Sequence, residues 1–328
     1  MKVFVYNFKE EEREYFEESA RELGVTLGTY EGYATEETAH LARGYEGISI
    51  YYIKMDADLL QRFYDLGVRY ITTRSVGYDH IDLKKARELG MRVSITPYAP
   101  ETVANYTIML MLMSLRKARQ IMERSVIQDF TLPGKRGRDL SSATIGIIGT
   151  GSIGKTVIRH LSGFGCRILA YSPHPSEEVS GLAEYTDLDT LLQESDVISL
   201  HSALNPQTVH MIGEEAISKM KDGAILVNCS RGPLVDTDAL IRGLESGRIG
   251  GAALDVIENE YGLYYNSFVG KPLAHRPLAV LRNFPNVIVM PHTAFYSDEA
   301  IREMTHNALL GCVLFAEGKE NPFEVTCL

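Results

Sequence analysis

The stretch Ile145-Gly146-Ile147-Ile148-Gly149-Thr150-Gly151-Ser152-Ile153-Gly154 reads as a strand, a tight turn and the start of a helix. In the pattern G-x-G-x-x-G each glycine has a separate task. Gly149 would make the turn, Gly151 would let backbone approach a pyrophosphate, and Gly154 would let the helix lie close to the strand, with its first N–H groups facing the phosphates. Ser152 and Ile153 belong to the same cradle. The motif alone is weak, because a glycine-rich turn can pack a helix without binding anything. Here it follows a run of strand residues and precedes Ile153, Val157 and Leu161 at helical spacing, with Gly163 and Gly165 closing the helix. That context favours a dinucleotide.

A second strand, Ile168-Leu169-Ala170-Tyr171, should end on the residue that meets the adenosine ribose, where an acid would hold the 2′-hydroxyl of NAD. Ser172 stands there. A 2′-phosphate is then no longer repelled, which opens the site to NADPH as well as NADH. Pro173-His174-Pro175 offers no arginine to grip it, however, and Glu177 and Glu178 follow. His174 is either a phosphate contact or an exposed loop histidine.

With 328 residues, 45% of them hydrophobic, the chain can build two cores of ordinary size. A net charge of −10 argues against nucleic-acid and anionic-membrane partners. The one basic run, Lys135-Arg136-Gly137-Arg138, is expected in a solvated loop ahead of the first strand of the nucleotide domain. The N-terminus carries no basic segment followed by an apolar one, so secretion is not expected. Cys166, Cys229, Cys312 and Cys327 lack C-x-x-C spacing and suit reduced thiols in the cytoplasm. No metal site is expected.

Before the glycine-rich turn, short β-like runs (3–6, 47–53, 70–73, 92–95) alternate with amphipathic stretches (10–23, 57–66, 83–89), the pattern of a parallel sheet covered by helices. This smaller α/β domain has no phosphate turn and is expected to shape the substrate. Residues 103–113 are apolar nearly all round, predicting a helix buried between the domains or against a second subunit. Pro97 and Pro100 precede it as a boundary. After the turn, strands are expected at 197–201, 224–229, 251–256 and 287–291, so the second domain is doubly wound, and polar residues just past strand ends carry the chemistry. Arg231 follows the second of these sheet segments and can fork onto a carboxylate. Asp255, Glu258 and Glu260 follow the next, and His292 follows the last.

Gly149-Thr150-Gly151-Ser152-Ile153-Gly154, Asn228-Cys229-Ser230-Arg231-Gly232-Pro233-Leu234-Val235-Asp236, Gly251-Ala252-Ala253-Leu254-Asp255-Val256 and Pro291-His292-Thr293-Ala294 together resemble the D-2-hydroxyacid dehydrogenase family over essentially the whole chain. Thr73-Arg74-Ser75-Val76-Gly77 with Asp79, Tyr98-Ala99-Pro100 and the segment 291–296 look most like its D-lactate dehydrogenase branch, and Ala170-Tyr171-Ser172 like the vancomycin-resistance type, which favours NADPH.

The resemblance implies two Rossmann-like, doubly wound α/β domains separated by a cleft. A flavodoxin-like catalytic domain (1–98 plus 297–328) would clasp an NAD(P)-binding domain (99–296), usually in a homodimer. It implies reduction of pyruvate to D-lactate by hydride transfer. Arg231 would anchor the carboxylate and His292 would act as acid and base. Glu260 would hydrogen-bond His292 and keep it protonated near neutrality. Asp255 would lie near the nicotinamide and support Arg231; its competing role is a strand-end cap. Backbone N–H groups of Val76 and Gly77 would take the other side of the carboxylate, and Tyr52, Tyr98 and Phe295 would wall a small pocket. Ser172, Ser202, Ala203, Thr208, Cys229 and Ser230 complete the expected cofactor contacts.

Three features depart from the family pattern. Ser202-Ala203 replaces an apolar residue and proline, Asn105-Tyr106 replaces Glu-His with no expected effect on the catalytic trio, and Tyr261-Gly262-Leu263-Tyr264-Tyr265 could reshape the pocket. A bulkier substrate such as phenylpyruvate is the same-class alternative, and a dinucleotide-sensing corepressor-like binding module is the alternative from another class.

Overall fold

Two units, each with its own sheet, divide the chain: Met1–Ala99 together with the chain from Tyr296 onward, and Pro100–Phe295. The computed structural model describes residues 1–326; Cys327 lies outside the described residues.

The first unit runs β1 (Lys2–Tyr6), α1 (Arg13–Leu23), β2 (Thr26–Tyr30), β3 (Gly47–Ile50), α2 (Ala57–Asp65), β4 (Tyr70–Thr73), α3 (Leu83–Glu88) and β5 (Arg92–Ile95). Its five strands are parallel in the order β2-β1-β3-β4-β5. Strands covered on both faces read as continuous apolar runs, and β1 and β3 are buried along nearly their whole length. Asp56 and Asp82 start α2 and α3 by accepting hydrogen bonds from the Leu59 and Lys85 N–H groups. The sequence does not announce β2. Its Thr26-Leu27-Gly28-Thr29-Tyr30 is an edge strand with no fully buried residue, so the apolar signal is missing.

The second unit contains α4 (Glu101–Leu115), α5 (Ala118–Val126), β6 (Thr144–Ile148), α6 (Ser152–Ser162), β7 (Arg167–Tyr171), β8 (Glu184–Tyr185) and α7 (Leu188–Glu194). It continues through β9 (Val197–Leu200), α8 (Glu214–Lys219), β10 (Ala224–Asn228), α9 (Thr237–Glu245), β11 (Ile249–Leu254), α10 (Arg276–Asn283) and β12 (Val287–Val289). The sheet order is β12-β11-β10-β9-β6-β7-β8, all parallel. Its direction of winding reverses between β6 and β9, the place where ligands gather in such sheets. Alternate residues of β10 and β11 feed two cores on opposite faces, Leu226 and Leu254 one of them, Val227 and Ala253 the other.

The expected helix at 103–113 is α4, but it is not buried on every side. Asn105 and Met109 reach the surface, so the apolar run leaves one uncovered stripe. The chain returns to the first unit as α11 (Asp298–Ala316), capped by Ser297, whose hydroxyl accepts from the Ala300 N–H. The tail then lies along β5, where Ile95 donates to the Phe323 carbonyl, Val325 to the Val93 carbonyl, and Arg92 pairs with Glu324. That contact closes an otherwise open sheet edge. Among the described residues no helix is long and apolar enough to cross a membrane, and no group of three or more His, Cys, Asp or Glu could hold a metal.

Candidate active site

The turn after β6 has the form its glycines require. Gly149 sits at φ +98°, where a side chain is strained, and its backbone presses on His201 and Ser202 at the end of β9: a Cβ would fall 2.7 Å from the His201 carbonyl. At Gly154 a Cβ would fall 2.0 Å from the Gly149 oxygen, so α6 rests directly on the turn. Gly151 differs, because a Cβ there would meet nothing within 4 Å. Its missing side chain leaves open space at the N-terminus of α6. Beside it the Thr150 hydroxyl is buried without a hydrogen-bond partner. An open cradle, a helix N-terminus and an orphaned hydroxyl fit a pyrophosphate.

Around this turn the other candidate cofactor residues are tied to one another. Ser202 donates to the Ile148 carbonyl, Ser230 donates to the Ser202 carbonyl at 2.7 Å, and Thr208 donates to the Ala203 carbonyl at 2.7 Å. Ser172 ends β7 and closes a small turn with the backbone N–H and C=O of His174, which is exposed. Lys155 pairs with Glu178, one of the two acids following Ser172, and holds its carboxyl below the usual range.

Past β10, Asn228 organises the loop that carries Arg231. Its side-chain oxygen accepts from the Ser230 N–H, and its amide donates to the Arg231 carbonyl at 2.9 Å. Gly232 lets this loop touch the next one, since a Cβ would fall 2.1 Å from the Ile257 carbonyl. Cys229 lies between, its thiol pushed far up by burial and then by Asp255.

Past β11 and β12 lies the pair expected to do the chemistry. His292 Nδ1 is 2.7 Å from Glu260 Oε1, and the other glutamate oxygen accepts from the Ile257 N–H. Opposite a carboxylate the Nδ1 position carries the proton, which leaves Nε2 as the nitrogen that exchanges protons elsewhere. The His292 backbone has φ 54°, rare for a residue with a side chain. Its N–H donates to the Asp255 carbonyl, and its own carbonyl accepts from the Tyr265 hydroxyl at 2.7 Å.

Asp255 is fully buried, and its two carboxylate oxygens accept from the N–H groups of Thr293 and Ala294, each at 2.9 Å. Burial pushes its pKa up, against the pull of His292 and of the two donors. The strand-end cap weighed against a role at Arg231 is therefore present, with the capped turn being the one that carries His292. Phe295 stands edge-on to the imidazole with ring centroids 6.3 Å apart.

The remaining expected residues belong to the first unit. Tyr52 donates to Asp79 and packs edge-on to His80. Val76 is exposed, and among the described residues neither its N–H nor that of Gly77 has a backbone partner. The Ser75 hydroxyl bonds Thr73 and the Gly77 carbonyl, and Thr73 reaches His80 Nε2 at 3.0 Å, so a chain of polar contacts shapes the turn that presents these two N–H groups. Arg74, next in line, is fully buried on the Tyr6 and Asn7 carbonyls. Tyr98 is half-buried.

Two residues near His292 carried no expected role at the catalytic pair, although Tyr265 belongs to the stretch expected to reshape the pocket. Tyr106, for which no effect was anticipated, places its hydroxyl 2.9 Å from Thr293 Oγ1, and burial raises its pKa to about 12. Tyr265 bonds His292 itself. Neither hydroxyl's target is in sequence proximity, so only the folded chain reveals them.

Residues 108–294 match the family described as D-isomer specific 2-hydroxyacid dehydrogenase, NAD binding domain. The chain is 40% identical over 320 residues to a D-specific alpha-keto acid dehydrogenase of Enterococcus faecium, covering 97% of this chain and 98% of that protein. The chain belongs to the D-isomer specific 2-hydroxyacid dehydrogenases. An aromatic 2-oxoacid reductase of Clostridium sporogenes is 38% identical over 94% of this chain and 95% of its own length. Among solved structures of the family, D-lactate dehydrogenase with NAD+ from Lactobacillus jensenii superposes with a TM-score of 0.85 at 31% identity, covering 99% of each chain. The glycine turn after β6 thus lies in a family NAD-binding domain, and the family's substrates are small 2-hydroxy and 2-oxo acids.

Proposed function

We propose that this protein reduces pyruvate to D-lactate. The observation that carries this reading is the partly buried Glu260–His292 pair at 2.7 Å, held at the carboxyl end of the sheet in the same unit as Arg231 and the glycine turn. When bound, the reduced nicotinamide supplies the hydride. Arg231 grips the substrate carboxylate with its planar fork. His292, through Nε2, gives a proton to the carbonyl oxygen during reduction and takes it back during oxidation. Glu260 fixes the imidazole's tautomer and neutralises the imidazolium. Asp255 supports this relay by holding the turn on which His292 sits. Phe295, edge-on to the imidazole, is a pocket wall in this reading. The relative from Clostridium sporogenes supports an aromatic 2-oxo acid such as phenylpyruvate as a second substrate class.

NADH is the expected reductant, with NADPH also accepted because Ser172 carries no negative charge and Lys155 offsets that of Glu178. Initial rates with pyruvate and phenylpyruvate, each with NADH and NADPH, test substrate and cofactor together. Absence of turnover in all four pairings would sink the reading. Gly151→Ala separates cofactor binding from folding: with open space around the new methyl, the melting temperature should hold while NADH affinity falls about tenfold or more.

The exposed side chains of Met122, Val126, Ile127, Phe130 and Leu132 are the surface through which two copies would form a homodimer. Sedimentation of Val126→Asp should then show monomer. A cytoplasmic location belongs to the same reading, supported by Cys166, Cys229 and Cys312 being free thiols.

A further inference from the structure

We propose that two tyrosine hydroxyls, those of Tyr265 and Tyr106, are positioning groups that clamp the His292–Thr293 turn and thereby set the direction in which the imidazole presents its reactive nitrogen. The inference rests on the reading of His292 as the acid and base of the reaction.

His292 occupies the left-handed backbone region at φ 54°, a conformation that a residue with a Cβ holds only when its surroundings over-determine it. Three of the fastenings come from Asp255, whose carbonyl takes the His292 N–H and whose carboxylate takes the next two. They hold the turn from the sheet side. Tyr265 acts from the loop after Glu260, donating to the His292 carbonyl at 2.7 Å with its ring tilted 37° to the imidazole at a centroid distance of 6.2 Å. Tyr106 acts from α4, its hydroxyl 2.9 Å from Thr293 Oγ1. The turn is thus held from three separate elements, and the peptide linking His292 to Thr293 is gripped at its carbonyl as well as its N–H.

Tyr265 is itself left-handed at φ 64°, and so is Asn259 beside Glu260 at φ 56°. Left-handed backbone is therefore found at His292, at the residue before Glu260 and at the tyrosine that bonds the His292 carbonyl. Rotating the His292–Thr293 peptide out of this conformation would swing the imidazole away from Glu260 and break the Tyr265 bond at once. The hydroxyls act through His292, at positions where a phenyl ring would fill the same space.

Tyr265→Phe and Tyr106→Phe, singly and together, test the clamp. For Tyr265→Phe the expected result is a kcat lowered about tenfold, below the roughly hundredfold cost of a full ångström of misplacement, with pyruvate KM and NADH affinity within about twofold. For Tyr106→Phe a drop of about threefold is expected. The double variant should lose less than the product of the two, because both hydroxyls hold one turn. The limb of the kcat/KM pH profile that disappears in His292→Ala should move in Tyr265→Phe, which a merely structural contact would not cause.

Tyr264→Phe is the control. Its hydroxyl is buried in the same loop without a hydrogen-bond partner, so its removal should leave kcat and the pH profile unchanged. Wild-type kcat and pH profile in both phenylalanine variants, with His292→Ala inactive, would overturn the clamp and leave the proposed reaction standing. A fall in kcat accompanied only by a matching loss of melting temperature, with an unmoved pH profile, would overturn it equally. Full turnover by His292→Ala would remove the reaction mechanism first and the clamp with it.

Discussion

His292–Glu260 and His210–Glu258 are both histidine–glutamate pairs 2.7 Å apart, and their glutamates stand two residues from each other on one loop. In the first pair the side chains are 17% and 8% exposed; in the second, 45% and 23%. Both histidines are left-handed, at φ 54° and 53°. The difference is in what surrounds them. Glu260 spends its second oxygen on a backbone N–H of its own loop, and His292 is gripped by Asp255 and Tyr265. Glu258 spends its second oxygen on the N–H and hydroxyl of Thr237, at the first turn of α9, while His210 faces water. One glutamate orients a proton carrier. The other ties a loop to a helix.

Loss of the imidazole should separate the two pairs most sharply. His292→Ala should lower kcat/KM for pyruvate by about 10²–10⁴, the range of a missing general acid, measured as initial rates of NADH oxidation. His210→Ala under the same assay should stay within about threefold. Similar losses in the two variants would erase the distinction.

Glu260→Gln keeps the shape and removes the charge that balances an imidazolium. A loss of about 10² in kcat with NADH affinity unchanged is expected from stopped-flow and fluorescence titration; an unchanged kcat would reduce Glu260 to a loop brace. Glu258→Ala should instead cost about 1–2 kcal/mol of stability in urea unfolding, through two orphaned donors at the start of α9, with kcat within a few-fold.

The smallest effect concerns pH. The hydrogen bond that His210 donates to Glu258 is the largest influence on the histidine and raises its pKa above the ordinary 6.5. Folding therefore favours the charged form: the pair's contribution is complete below pH 6.5 and is lost as pH rises through the raised value. Because the histidine is largely exposed, that contribution is at most about 1 kcal/mol. Wild type and His210→Gln should differ by this amount at pH 5.5 and converge by pH 9. A gap that widens with pH would reverse the assignment.

The glycine turn after β6, the alternation of strands and helices, and the polar residues past β10, β11 and β12 were legible because each follows from local chemistry: positive φ, apolar periodicity, and the rule that parallel strands present ligands at their carboxyl ends. Strand β2 was not legible, since an edge strand needs no apolar run. Nor was the exposed stripe of α4, because hydrophobicity on all sides of a helix does not say which side lacks a neighbour. Asp255 was read as a partner for Arg231 or as a cap; the fold shows what it caps.

By itself, then, the sequence determined the class of fold, the place of the dinucleotide turn and the candidacy of Arg231 and His292, since these are written in spacing and residue type along a contiguous chain; the choice of Glu260 as partner of His292 came from the resemblance to the family. Only the tertiary structure decided that Glu258 meets His210 and Thr237 instead, and that Tyr106 and Tyr265, 187 and 27 residues from their partners, close on the His292 turn. Two glutamates separated by one asparagine look alike in sequence. They acquire different work because the loop after β11, kinked at left-handed Asn259, turns one toward α9 and the other toward the end of β12.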